Sequence, residues 1–294
     1  MKLGVIQMAC RANSQENLRR ALEKVEEAVN AGAQIICLPE LFQSEYFCQK
    51  EDAALFDLAE PVPGPTTEVF SQISKTHHVT ILVSLFERRT AGVYHNSLVV
   101  LDERGEIIGL YRKMHIPDDP AYYEKFYFTP GDRGFQAFKT GGATIGPLIC
   151  WDQWYPEAAR MTVLKGAEIL FYPTAIGWHP KEKGEEGLAQ RDAWMTIQRS
   201  HAIANGVFVV GVNRVGHEAP AGGEGLEFWG SSFVCDPFGI LLAQASVDHE
   251  ENLVVEIDLR RIENVRRNWP FLRDRRIEAY GGLIHRFLDQ PFIP

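Results

Sequence analysis

The chain has 294 residues, of which 45 % are hydrophobic and 23 % charged, with a formal net charge of −9. This is the composition of a globular protein, and its acidic balance disfavours nucleic acid, whose binders carry basic stripes. No apolar run is long enough to cross a bilayer. The N-terminal stretch "MKLGVIQMAC" lacks the basic and apolar regions and the small-residue cleavage site of a secretory signal, so no membrane partner and a cytoplasmic location are expected.

Strand and helix signals alternate from the start. "KLGVIQM" (2–8) reads as a strand, followed by a helix from about Ser14 to Gly32 with Asn13 and Glu16 as a capping box. "QIICLP" (34–39) is a buried strand and 66–78 a helix. The stretches 79–87, 93–102 and 107–113 are three strands, the last two joined by a turn at 103–106. "ATIGPLIC" (143–150) is a strand interrupted by Pro147, which has no N–H to give a ladder. A helix then starts at Pro156, a favourable first position, and runs to Gly166. Beyond it come a strand at 168–173, a long helix at 187–206, and strands at 207–213, 230–239, 240–245 and 252–259. The order gives a single α/β domain over 1–260, its sheets covered by helices. A basic, aromatic tail over 261–294, with Trp269, Phe271, Phe287 and Phe292, is expected to pack on the body or on a neighbouring subunit.

The five cysteines are scattered and odd in number, with no CxxC spacing, which speaks against a disulfide framework or a zinc site. Cys150 differs from the others because it stands where a buried strand turns into a helix start, in "ICWDQWYPE". Such a turn presents a thiol to a crevice, with backbone N–H groups beside it to hold an oxyanion. Glu40 in "LPELF" follows another buried strand, and Lys113 in "YRKMHIP" ends a third. Glu124 lies in the aromatic loop "YYEKFYFTPGD". A carboxylate in a dry crevice suits general base work, and an ammonium beside a thiol suits charge stabilisation.

Glu40, Lys113 and Cys150, in that order at three strand ends, resemble the nitrilase superfamily of carbon–nitrogen hydrolases over essentially the whole chain. The resemblance implies a four-layer αββα sandwich and a homo-oligomer, dimer or larger, with hexamers and octamers among its members. It implies Cys150 as nucleophile, Glu40 as general base, Lys113 as stabiliser of the tetrahedral intermediate, and Glu124 as the residue that orients lysine and substrate. It implies no metal and no organic cofactor.

Three longer stretches, 115–132, 149–160 and 172–206, are similar to superfamily amidases that act on a small carbamoyl-amine, releasing the amine, carbon dioxide and ammonia. An ammonium tail on that substrate calls for carboxylates and aromatic faces. Asp118, Asp119, Glu185 and Glu186 lie in loops expected to rim the site, with Tyr122, Trp154 and Trp178 as faces and the Trp151 N–H at the oxyanion. The alternative is a superfamily amidase for N-carbamoyl-β-alanine, N-carbamoyl amino acids or ω-amides. Such substrates carry a carboxylate and call for an arginine, for which Arg191, Arg199 and Arg214 are candidates. A non-catalytic scaffold member fits less well, because all four reactive positions are intact.

Overall fold

The computed structural model describes residues 1–220 and 222–289. The first half of the chain forms β1 (Lys2–Gln7), α1 (Ser14–Asn30), β2 (Ile35–Cys37), α2 (Pro65–His77), β3 (Thr80–Thr90), β4 (Val93–Leu101) and β5 (Ile107–Arg112). A single helical turn, α3 (Glu124–Tyr127), precedes β6 (Phe138–Lys139), β7 (Thr144–Pro147), α4 (Pro156–Leu164), β8 (Ile169–Thr174), β9 (Gly177–Trp178) and α5 (Glu185–Asn205). The remainder forms β10 (Phe208–Asn213), β11 (Val215–Glu218), β12 (Leu226–Trp229), β13 (Phe233–Cys235), β14 (Leu241–Gln244), β15 (Glu251–Glu256) and α6 (Arg260–Asn268).

The strands make two six-stranded sheets, ordered β15-β1-β2-β3-β4-β5 and β14-β13-β10-β8-β7-β6, and a small sheet β11-β12-β9. Side chains alternate across the first sheet as the pleat requires. Leu3, Val5, Cys37, Leu82 and Val100 pack toward Ile169, Phe171 and Val209 of the second sheet. Ile6, Ile36, Ile81 and Val99 point the other way, onto Ala21, Val25 and Ala28 of α1 and Phe70 of α2. The second sheet carries α4 and α5, whose Ala158, Val163 and Trp194 join the same core. The result is an αββα sandwich. Its parallel strands are buried on both faces, which explains their unbroken apolar runs.

Local signals act at the element ends, with instructive differences. Asn13 Oδ1 accepts the Glu16 N–H at 3.1 Å, which caps α1. The expected reciprocal half of the box does not form, because Glu16 is drawn to Arg11 at 2.6 Å instead. α5 stops at Asn205, where Gly206 takes φ +59°, a left-handed cap suited to glycine. Pro147 disturbs nothing. The N–H of Leu148 donates to Phe171 of β8 at 2.9 Å, so the nitrogen of Pro147 faces the other side, where β6 pairs only with Thr144 and Ile145. Residues 260–268, at the start of the expected tail, form α6, with Ile262 and Val265 buried against the body. Beyond it Trp269 packs edge-on to Phe238, whereas Leu283, Ile284, Phe287 and Leu288 are exposed. Phe292 lies outside the described residues.

The strand that leads to Cys150 is pressed against α4. A Cβ at Gly146 would stand 2.4 Å from Thr162 Cγ2, 2.9 Å from the Ala167 Cβ and 2.8 Å from Leu170. Gly146→Ala is therefore expected to cost about 1–3 kcal/mol of stability by overpacking, measured as a lower midpoint in denaturant unfolding.

Candidate active site

Glu40 follows β2 and Lys113 follows β5, so both side chains leave the same edge of the first sheet. Glu124 opens α3. The three meet in one row. Lys113 Nζ donates to Glu40 Oε1 at 2.8 Å and to Glu124 Oε2 at 2.7 Å, with all three side chains fully buried. Two neutral donors complete the row: Asn96 Nδ2 reaches Glu40 Oε1 at 2.7 Å, and the Tyr46 hydroxyl reaches Glu124 Oε1 at 2.7 Å. Glu40 Oε2 is buried and has no hydrogen-bond partner among the described residues. One oxygen of Glu40 thus accepts twice while the other accepts from no described residue.

Burial alone would depress the Lys113 ammonium, but the Glu124 and Glu40 carboxylates outweigh it and hold the group well above the ordinary lysine value. Burial pushes Glu124 up to about 7, against the pull of Lys113.

Cys150 stands just past β7 at φ +41°, a conformation costly for a residue with a side chain and kept only where its surroundings over-determine it. Asp152 is what fixes the turn. Its carboxylate accepts from the N–H of Ile149 at 3.0 Å, the N–H of His115 at 3.0 Å, His115 Nδ1 at 2.7 Å and the Tyr111 hydroxyl at 2.7 Å. Gln153 adds a second anchor, its carbonyl accepting from His201 Nε2 and its side-chain oxygen from Trp194 Nε1, both at 2.8 Å. Burial raises the Cys150 thiol well above its ordinary value, Glu40 adds to the rise, and Lys113 opposes it. The resting group is a neutral thiol, so attack requires a base to remove its proton.

A cavity of about 460 Å³ opens onto Cys150. Asp119, Tyr122, Trp151 and Trp154 line it. Tyr122 is pinned there by bonds with the carbonyl of Gly177 at 3.1 Å and its N–H at 3.0 Å. Two other expected rim residues lie elsewhere. The Trp178 indole donates to the Gly187 carbonyl at 2.7 Å and packs behind Trp229 at 5.5 Å. It thus supports the wall without lining it. Glu186 precedes Gly187, which lies against Trp178, so the helical turn aims Glu186 about 100° away, into solvent. Asp118 sits 3.9 Å from Lys125, and neither it nor Glu185 lines the cavity.

Sequence reasoning missed Glu182, His179 and Trp229, which do line it. Glu182 belongs to a short turn at Pro180–Glu182 and carried no periodicity to mark it. Among the described residues the lining contains two acids, Asp119 and Glu182, and no lysine or arginine. Arg214 is fully buried, Arg199 donates to the Gly239 carbonyl at 2.7 Å, and Arg191 is not on the wall.

A buried Glu–Lys–Glu row beside a cysteine on a strained turn, in an αββα sandwich, defines a hydrolase that works through a thiol. The chain belongs to the carbon–nitrogen hydrolase family, whose model matches residues 2–267, and it is an enzyme of the amide-cleaving kind. It is 44 % identical over 288 residues to an N-carbamoylputrescine amidase of Oryza sativa subsp. japonica, covering 97 % of this chain and 94 % of the relative. It is 38 % identical to a citrullinase of Francisella tularensis, covering 98 % and 99 %. Among solved structures, a carbon–nitrogen hydrolase from Helicobacter pylori G27 superposes with a TM-score of 0.95 at 48 % identity, covering 98 % of this chain and 99 % of that one.

The raised Glu124 has a pH consequence. As pH falls through about 7 the row takes up a proton, and the charges around Lys113 that hold it in place weaken. The acid limb of kcat/KM is therefore expected near neutrality, as a property of the coupled row. Glu124→Gln, which cannot take that proton, should move the limb to lower pH while lowering kcat. The pH profiles of the two proteins check this.

Proposed function

We propose that the enzyme hydrolyses N-carbamoylputrescine to putrescine, carbon dioxide and ammonia. The observation that carries this reading is the cavity wall: aromatic faces and two carboxylates lead to Cys150, with no lysine or arginine among the described lining residues. An uncharged carbamoyl group with an ammonium tail fits such a wall. A substrate with a free carboxylate, such as citrulline or N-carbamoyl-β-alanine, would set its charge against Asp119 and Glu182. The similarity to plant amidases of that name supports the same choice.

In the chemistry we propose, Glu40 Oε2 takes the Cys150 proton as Sγ bonds to the carbamoyl carbon. The displaced carbonyl electron pair settles on oxygen, held by the Lys113 ammonium and the Trp151 N–H. Glu40 then gives its proton to the departing nitrogen as the C–N bond breaks, leaving a carbamoyl thioester on Cys150. Next Glu40 removes a proton from water, whose oxygen bonds to the same carbon. The C–S bond breaks, the sulfur recovers its proton, and the carbamic acid released falls to carbon dioxide and the second nitrogen product, putrescine if ammonia left first or ammonia if putrescine did. Glu124, steadied by Tyr46, keeps Lys113 aimed.

The reading includes a cytoplasmic enzyme that works as a homo-oligomer, a dimer at least. Exposed apolar residues on α4, Met161 and Leu164, and on the C-terminal segment, Leu283 and Ile284, support an interface there. Light scattering should give a multiple of 33.2 kDa, and Leu283→Asp with Ile284→Asp should shift it to a smaller species.

Ammonia release tests the substrate, with Cys150→Ser as the blank. Release from N-carbamoylputrescine is expected to be far faster than from N-carbamoyl-β-alanine or citrulline. Neutralising the tail's partner, by Glu182→Gln or Asp119→Asn, should raise KM for the cationic substrate by about tenfold or more, equal to about 1.4 kcal/mol, and leave an uncharged carbamoyl compound unchanged. If neither substitution does so, the cationic pocket is wrong.

A further inference from the structure

Arg214 is fully buried and does not line the cavity, yet its side chain makes five hydrogen bonds. It sits between β10 and β11 and grips the chain that follows β2. Its Nη2 donates to the carbonyls of Glu40 at 2.6 Å and Leu41 at 3.0 Å. Its Nη1 donates to the carbonyl of Ser44 at 3.2 Å and to both carboxylate oxygens of Glu218, at 3.0 and 2.9 Å. Glu218 in turn accepts the backbone N–H of Tyr46. The guanidinium plane is enclosed by the rings of Tyr46 and Phe228, at 5.8 and 5.3 Å.

A buried ion pair is a poor source of stability, since apolar residues of the same volume often do as well or better. What a guanidinium offers is a rigid fork able to hold several acceptors at fixed angles. The segment it holds needs holding. Leu41 is kept at φ +49°, an unfavourable conformation for a branched side chain. Glu40 stands at one end of this segment, and Tyr46, which bonds Glu124, at the other. One pair, Arg214 just before β11 and Glu218 at its end, therefore grips both supports of the Glu–Lys–Glu row.

We infer that Arg214 and Glu218 are a positioning pair that sets the aim of Glu40 toward Cys150. The inference rests on Glu40 as the base. The pair touches no reacting atom and acts through the backbone of residues 40–46.

The test uses Arg214→Lys, which keeps the charge without the fork, and Glu218→Asp, which keeps the pair but shortens its reach to Tyr46. Glu40→Gln is the reference and Cys150→Ser the mass blank. Alkylation of Cys150 by iodoacetamide is followed by intact mass, alongside kcat, KM and the denaturant midpoint. Both variants are expected to alkylate more slowly than wild type and to lose about 10- to 100-fold in kcat with KM nearly unchanged. A lower midpoint with wild-type alkylation and kcat in the folded protein would make the pair merely structural and overturn the inference. If one variant does not fold, the other decides by the same readout. Wild-type alkylation in Glu40→Gln would instead overturn Glu40 as base, and the inference with it. Slowed alkylation in Glu40→Gln alone would overturn only the positioning pair.

Discussion

The ammonium of Lys113, enclosed with no exposed surface between two carboxylates, is the constraint on which the rest of the site depends. An isolated charge so deep in a protein would be lost as a proton. It survives because Glu40 and Glu124 arrive from two separate segments, one after β2 and one in α3. Removing either leaves a buried charge without its counterpart, a far larger penalty than the net gain of forming the pair. The scaffold around the row follows from this demand. Asn96 adds a second donor to the Glu40 oxygen that Lys113 holds, Tyr46 takes the free oxygen of Glu124, and Arg214 fixes the strand exit that carries Glu40.

The cysteine answers to a different physics. Its turn is strained, and burial raises its thiol while Lys113 opposes the rise. Asp152 and Gln153 hold the turn from below through Tyr111, His115, Trp194 and His201.

Much of this was legible in the sequence, for reasons that differ from residue to residue. Glu40, Lys113 and Cys150 follow strong strand signals, and strand ends are where α/β folds place chemistry. The strand and helix order was readable because parallel strands buried on both faces leave long apolar runs. The small sheet was not, because β9, β11 and β12 have two to four residues each, too few to show a period. That sheet brings Trp229 to the cavity and Glu218 behind Glu40, with Arg214 in the link that enters it. Their roles depend on contacts between residues some 170 positions apart, which no local pattern records. Trp178 misled because its neighbour Gly177 lines the cavity while its own indole turns back onto Gly187 and Trp229, and Glu186 because it lies on the exposed face of its helix.

Among the described residues, the first strand is flanked by the last. Lys2 pairs with Glu256 and Gln7 with Glu251, so β1 keeps an open edge until nearly the whole chain exists. During synthesis the ribosome must release residue 256 before the first sheet has all its strands. The half that carries Glu40 and Lys113 therefore waits for the half that carries Cys150. The order of manufacture and the order of assembly run opposite ways, and an incomplete chain meets the cell with its sheet edge bare, a template for aggregation, and with no working thiol.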